Sequence, residues 1–411
     1  MTRYRMTPAP RLVLDRAKRE SLDPIDRVAE RYEHLLLGSL SVRFQQPAEP
    51  APPAPESAAQ PADESVSDAP EMTGTDPVEH TRHMARVFTH EAIAEARELL
   101  GPKPTNTSRE ATTYARSVAC LARAGRDDGW RSVPWAGPDA VADPFAGLGA
   151  EFTNFGEVLM HLSTQWTLAR RARSAADARI EPILLTGEPG VGKTYFAATL
   201  AELIGVRMQV FSAGGAQDAM QLCGSDARWS NTRPGIVFDL LAQGDFAAPV
   251  LVVDEIDKIA QESTGSRDTP INTLLDLFEE DSARRYRDMS LQLEMDAGKV
   301  IVIATANDRE RISPPLLSRL TEFHIKAPSL EQRRLILEGY LAALLEAHEC
   351  SADMTLDEAS AEAALATPDL DVRALLRMVR AAFAAALAAD SDRVVLSPPR
   401  RGAVKRRIGF V

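Results

Sequence analysis

ILLTGEPGVGKTYFAATLAELIG, residues 183–205, joins a short apolar run to an amphipathic helical pattern through GEPGVGKT at 187–194. A glycine-rich turn between a strand and a helix, ending in Gly-Lys-Thr, is the arrangement that cradles phosphate in a P-loop. Gly187, Gly190 and Gly192 let backbone N–H groups close around phosphate oxygens, and the start of the following helix adds the positive end of its dipole. Lys193 is expected to reach the β- and γ-phosphates, and Thr194 to offer its hydroxyl to Mg²⁺. Glu188, Pro189 and Val191 complete the loop, and Tyr195 follows it into the helix, so all of 187–195 is assigned to the nucleotide.

Outward from this loop, VLVVDEIDK at 250–258 ends a strand-like run in two carboxylates. At the carboxyl end of a neighbouring strand, Asp254 is expected beside the loop as a partner of Mg²⁺, and Glu255 as the group that orients and polarises the attacking water. VIVIATAND at 300–308 brings Asn307 to the same edge, where its amide can position the water or meet the γ-phosphate. Asn is also an ordinary turn residue. PPLLSRL at 314–320 presents Arg319 just before the strand-like EFHI. The residues alone leave Arg319 open between a salt-bridge arginine and one that stabilises charge on a neighbouring subunit's γ-phosphate.

Short apolar runs at 183–186, 206–211, 250–253, 300–304 and 321–325 alternate with helical patterns, the signature of a parallel α/β sheet. Before them, Phe152, Phe155, Val158, Leu159, Leu162 and Trp166 mark an amphipathic helix. After them, Ala-, Leu- and Arg-rich helical patterns fill the last 85 or so residues, broken by Pro and Asp. The expected divisions are an N-terminal segment at 1–46, a linker at 47–78, a small helical region at 79–136, a large α/β domain at 137–326, and a small helical domain with a basic tail at 327–411. The first segment holds one helical stripe, Ile25, Val28, Tyr32, Leu35 and Leu36, with Asp23 and Pro24 at its start. The linker is too poor in large apolar side chains to offset ordering entropy.

Composition excludes several classes. Hydrophobic residues make up 45% and charged residues 26% of the 411, close to the globular average. The longest apolar runs are far short of the roughly 18 residues of a spanning helix, and no signal-peptide pattern opens the chain, which predicts a cytoplasmic protein with no membrane partner. With 47 basic and 59 acidic residues, the net charge is −12. That disfavours nucleic acid as the main partner, although RRGAVKRR at 400–407 is locally basic. Cys120, Cys223 and Cys350 are too scattered for a disulfide framework or a zinc ribbon, and His80, His83 and His90 read as surface residues.

The order P-loop, DEIDK, ATAN, PPLLSR and helical C-terminal region resembles the AAA+ ATPases and, within them, the ATPase module of Lon proteases. The likeness runs over roughly 145–390, and includes TPINTLLDLFEEDSARRYRDMSLQLEMDAGKVIVIATAN and SAGGAQDAMQLCGSDARWSNTRPG. It implies a P-loop parallel-sheet domain followed by a helical lid, with ATP and Mg²⁺ bound and hydrolysed between subunits of a homo-oligomeric ring, usually a hexamer. Asn307 is then the sensor-1 residue, Arg319 the arginine finger, and Arg373 in LDVRALLRMVR the lid's sensor-2 arginine. Trp229 falls where Lon-like modules carry an aromatic on the loop that grips a protein client. Val411 follows soon after the lid, so the resemblance carries ATPase chemistry and a remodelling or unfolding motor, but no Ser–Lys peptidase. The competing expectation is a nucleotide-dependent assembly switch or scaffold in a nucleic-acid or defence complex.

Overall fold

The computed structural model describes residues 82–104, 109–136, 140, 142–149, 152–215, 220–226, 232–259, 269–348, 350, 354–367 and 370–397. The helical stripe at 25–36, the linker at 47–78, Trp229 and the basic tail lie outside them. The described chain divides into two compact units, with the boundary between Ala327 and Pro328.

The first unit opens with a strand pair, β1 (Met84–Arg86) antiparallel to β2 (Trp130–Ser132). Two helices lie between them, α1 (His90–Leu100) and α2 (Arg109–Ala124). Thr89 starts α1 by accepting the Ala92 N–H, and Gly101 ends it at a φ of 67°, its N–H donating to the Glu98 carbonyl. Both helices fall within the small helical region expected at 79–136. The strand pair is an addition to the expected helical region, because three-residue strands are too short to display alternation. It ties this region into the core of the sheet domain. Ser132 exchanges backbone bonds with Asp245 and Ala247, and Val87 accepts the Asp296 N–H at 2.8 Å. Phe88, Leu121 and Trp135 are fully buried in the same cluster as the sheet.

Next comes α3 (Gly156–Arg171), whose Val158, Leu159, Leu162 and Trp166 are buried as the stripe predicts. The alternating elements follow: β3 (Ile183–Thr186), α4 (Lys193–Ile204), β4 (Met208–Ser212), α5 (Ile236–Gln243), β5 (Val250–Asp254) and α6 (Pro270–Phe278). A hairpin of β6 (Tyr286–Asp288) and β7 (Leu293–Met295) leads into β8 (Ile301–Ala306), then α7 (Pro314–Leu317) and β9 (Thr321–His324). The main sheet has five parallel strands in the order β4-β5-β8-β3-β9. Every residue of β3 and β8 is buried, as are the first four of β5. Continuous apolar runs are what a parallel strand covered on both faces requires. Phe155 of the segment before α3 stacks on Phe196 of α4 at 4.5 Å between ring centres, locking the helix that follows the P-loop.

The second unit is helical: α8 (Leu330–Ala347), α9 (Glu358–Leu365) and α10 (Val372–Ala388), with a short parallel pair of β10 (Thr355–Leu356) and β11 (Arg393–Val394). Ser329 and Gln332 form a reciprocal capping box at the start of α8. Asp357 and Asp371 cap α9 and α10 by accepting the backbone N–H three residues on. The acidic breaks seen in the sequence are therefore helix starts.

Candidate nucleotide site

The P-loop leaves β3 at the carboxyl edge of the sheet, between β8 and β9. Two of its glycines are needed for separate reasons. A Cβ on Gly187 would stand 2.4 Å from the Ile325 carbonyl oxygen, so the strand can lie this close to the end of β9 only without a side chain. Gly192 has a φ of 99° and turns the chain into α4 from the left-handed region. No side chain caps that helix start, and the first turn of a helix is where backbone N–H groups can receive an anion.

Lys193 is buried, and its ammonium donates to the Gly187 carbonyl at 2.7 Å, the Glu188 carbonyl at 3.0 Å and Asn307 Oδ1 at 3.0 Å. One cation thus bonds the loop to the end of β8. Beside it, Thr194 Oγ1 donates to Asp254 Oδ1 at 3.3 Å, joining the loop to the end of β5. The structure brings Lys193, Thr194, Asp254 and Asn307 together from three separate segments. A hydroxyl and a carboxylate side by side are hard oxygen donors, the set that Mg²⁺ prefers, so this pair fits the implied ion. Glu188 and Pro189 are exposed at the loop tip, Val191 is buried, and half-buried Tyr195 packs its ring against Phe152 with centres 5.5 Å apart.

Two further residues shape the site that sequence reasoning did not single out. Thr305 is buried in β8; its Oγ1 donates to Asp254 Oδ1 at 2.6 Å and accepts the Glu255 N–H at 3.1 Å. It fixes both carboxylate residues at once. The signal for it is a lone hydroxyl, two residues before Asn307, in an otherwise apolar strand. Asp257, also buried, faces the backbone N–H groups of Asn307 and Asp308 at 3.4 and 3.3 Å, which braces the turn that presents the Asn307 amide.

Glu255 itself sits in the left-handed region, φ 58° and ψ 46°. Its Oε1 pairs with Lys258 Nζ at 2.6 Å, and a Cβ built on Gly214, in the turn after β4, would stand 2.9 Å from its Oε2. Its carboxylate thus lies at the β4 side of β5, whereas the P-loop strand lies two places away on the other side.

Arg319 occupies a different place. Thr321 is paired with Ile183, at the beginning of β3, so Arg319 stands at the amino edge of the sheet. The four residues of β3 alone separate that edge from the P-loop edge by about 10 Å. Within its own chain Arg319 does not join the Lys193 network; its Nε donates to Glu279 Oε2 at 3.1 Å and its Nη1 to the Pro315 carbonyl at 3.1 Å. Arg373 is exposed in the first turn of α10, in the second unit. No membrane-length apolar helix occurs among the described residues.

A second polar cluster gathers around Asp288, at the end of β6. Asp288, fully buried, accepts the Gly235 N–H at 2.7 Å through Oδ2, and the Ser290 hydroxyl and the N–H groups of Ser290 and Leu291 through Oδ1. Burial pushes its carboxyl up to about 6 despite these bonds, each of which favours the charged form. Nearby, Ser225 and Arg233 are tied together, Ser225 N–H to the Arg233 carbonyl at 3.1 Å and Arg233 N–H to Ser225 Oγ at 2.8 Å.

Residues 183–328 match the family model of the ATPase family associated with various cellular activities (AAA). The chain is 34% identical over 159 residues to the mitochondrial Lon protease homolog of Phaeodactylum tricornutum, covering 39% of this chain and 18% of that protein. It is 31% identical over 225 residues to the peroxisomal Lon protease homolog 2 of Caenorhabditis elegans, covering 52% of this chain and 29% of that one. It therefore spans less than a third of the length of these relatives. The Thermotoga maritima RuvB Holliday junction branch migration motor aligns in structure over 58% of this chain and 65% of that one, with 15% identity and a TM-score of 0.38. The AAA family match begins at β3, ends beyond β9 and contains the whole Lys193 network, and the chain is similar in sequence to the Lon protease homologues.

Proposed function

We propose that the protein is a Mg²⁺-dependent ATPase that works as a homo-oligomeric ring, a hexamer by analogy with its family, and remodels or unfolds protein clients in the cytoplasm. The observation that carries the ATPase is the Lys193 ammonium held by Gly187, Glu188 and Asn307, with the Thr194–Asp254 oxygen pair beside it. A γ-phosphate entering the loop replaces the carbonyl partners of Lys193 and meets the Asn307 amide. Thr194 and Asp254 would hold Mg²⁺, which neutralises phosphate charge when bound. Glu255 orients the attacking water after leaving Lys258, Arg319 acts on the nucleotide of a neighbouring copy, and Arg373 senses nucleotide from a lid formed by 327–411. The large domain of this proposal is 137–326. Trp229 grips the client. The Lon-like sequence supports a protein client, and the net charge of −12 supports one over nucleic acid.

Two substitutions separate binding from chemistry. Lys193→Ala is expected to abolish binding of labelled ATP, and Glu255→Gln to retain binding while phosphate release falls by at least about 10²-fold. Wild-type turnover in the Glu255 variant would remove its proposed role. Proteins trapped on Glu255→Gln under ATP, identified by mass spectrometry, test the client; recovery of nucleic acid alone would favour an assembly scaffold instead.

A further inference from the structure

Glu279 lies at the end of α6 with its backbone fixed on both sides. Its N–H donates to the Leu275 carbonyl at 3.1 Å and its own carbonyl accepts the Ala283 N–H at 2.9 Å. Arg179, just before β3, donates to the Phe278 carbonyl at 2.8 Å and so clamps the helix end from which Glu279 projects. From this fixed base the Glu279 carboxylate takes the Arg319 Nε–H, while the Pro315 carbonyl takes Nη1. Among the described residues the remaining nitrogen, Nη2, has no protein partner. An arginine held by two of its three nitrogens keeps one edge of the guanidinium free and aimed.

We propose that Glu279 is the positioning residue of Arg319: it fixes the guanidinium by Nε so that the Nη2 edge is presented to the phosphate of a neighbouring copy's nucleotide. The proposal rests on Arg319 acting across a subunit boundary. Both side chains are only partly buried, Arg319 at 35% and Glu279 at 50% exposure, and such pairs contribute little to stability. Their geometric effect is larger. A flexible arginine samples many rotamers, and misplacing a catalytic group by about 1 Å costs on the order of 10²-fold in rate. The arriving phosphate competes for the free edge and not for Nε, so the carboxylate need not be displaced for the arginine to work.

Steady-state hydrolysis of Mg·ATP by the full chain tests this with four variants: Arg319→Ala, Glu279→Ala, Glu279→Gln and the Arg319→Ala/Glu279→Ala double. Loss of an arginine finger costs roughly 10³–10⁵ in kcat. Glu279→Ala is expected to lower kcat by 10- to 10²-fold, on the order set by misplacement, with KM for ATP unchanged because the P-loop is untouched. Glu279→Gln keeps an oxygen for Nε–H and is expected to lose less than the Ala variant. The double variant is expected to match Arg319→Ala alone, since a positioning residue has nothing left to position. Wild-type kcat in Glu279→Ala beside an inactive Arg319→Ala overturns the positioning role alone, as does a multiplied loss in the double variant. Wild-type kcat in Arg319→Ala overturns the finger beneath it, and that result is read without reference to Glu279.

Discussion

Thr305 shows how a residue with no motif of its own holds a site together. Its hydroxyl serves Asp254 and Glu255 at the same time, from a buried position in β8. Thr305→Val keeps the shape and removes the oxygen, leaving the Glu255 N–H and one lone pair of Asp254 unserved. Loss of a buried hydrogen-bond partner costs about 1–3 kcal/mol. Urea unfolding of the variant is expected to show a loss in that range, and ATP turnover a fall of about 10-fold. An unchanged midpoint and an unchanged rate would mean that Asp254 is fixed by other contacts. At this scale the sequence is uneven. GEPGVGKT declares itself because its glycines and Lys193 have few other uses in that order, and DEIDK because two carboxylates end an apolar strand. Thr305 and Asp257 act through one hydroxyl and one buried carboxylate that meet their partners only when β5 and β8 lie side by side, and that adjacency is a property of the folded sheet.

Among the elements, β3 is legible to the residue, and β5 and β8 nearly so, because strands buried on both faces must be apolar throughout. The edge strand β4 is less so: it starts at Met208 rather than at 206, and Val210 and Ser212 face solvent. The β6–β7 hairpin escapes periodicity because each strand has three residues. What organises it is Asp288, whose carboxylate gathers donors from the hairpin turn and from Gly235. Since the folded-state carboxyl is raised from 3.8 to about 6, the native protein holds this proton more tightly than the unfolded chain does. The resulting stabilisation is complete below pH about 4 and is lost as pH rises through about 6, for a total of about 3 kcal/mol. Urea titrations of wild type and Asp288→Asn compare the two directly. Relative to the Asn variant, wild type is expected to gain about 1 kcal/mol on going from pH 7.5 to pH 5. A difference independent of pH would show that burial does not govern this carboxylate.

For the whole molecule, the central fact is that Lys193 and Arg319 stand at opposite edges of one sheet. Under the proposed function, no copy can complete its own site. Turnover per chain is therefore expected to rise with protein concentration, and to plateau once assembly is complete. A mixing experiment is more discriminating: Lys193→Ala and Arg319→Ala are each expected to be inactive alone, yet their mixture should hydrolyse ATP, because the first can lend its arginine to the intact P-loop of the second. A mixture no more active than the sum of its parts would refute hydrolysis in trans. Resemblance in the sequence implied a shared site; the parallel register of β3 with β9 supports that reading, since it keeps Arg319 at the edge away from Lys193.

Under the proposed function, that two-edged sheet would also set how activity scales with assembly. Contacts that join one copy's arginine edge to the next copy's P-loop edge are head to tail, so they generate a polar row. An open row, however long, ends in one idle P-loop and one idle arginine, and always has one working site fewer than it has chains. Closure alone makes the two numbers equal. A short row of this protein would thus be penalised most, and the last subunit to join would complete two sites where every earlier one completed a single site.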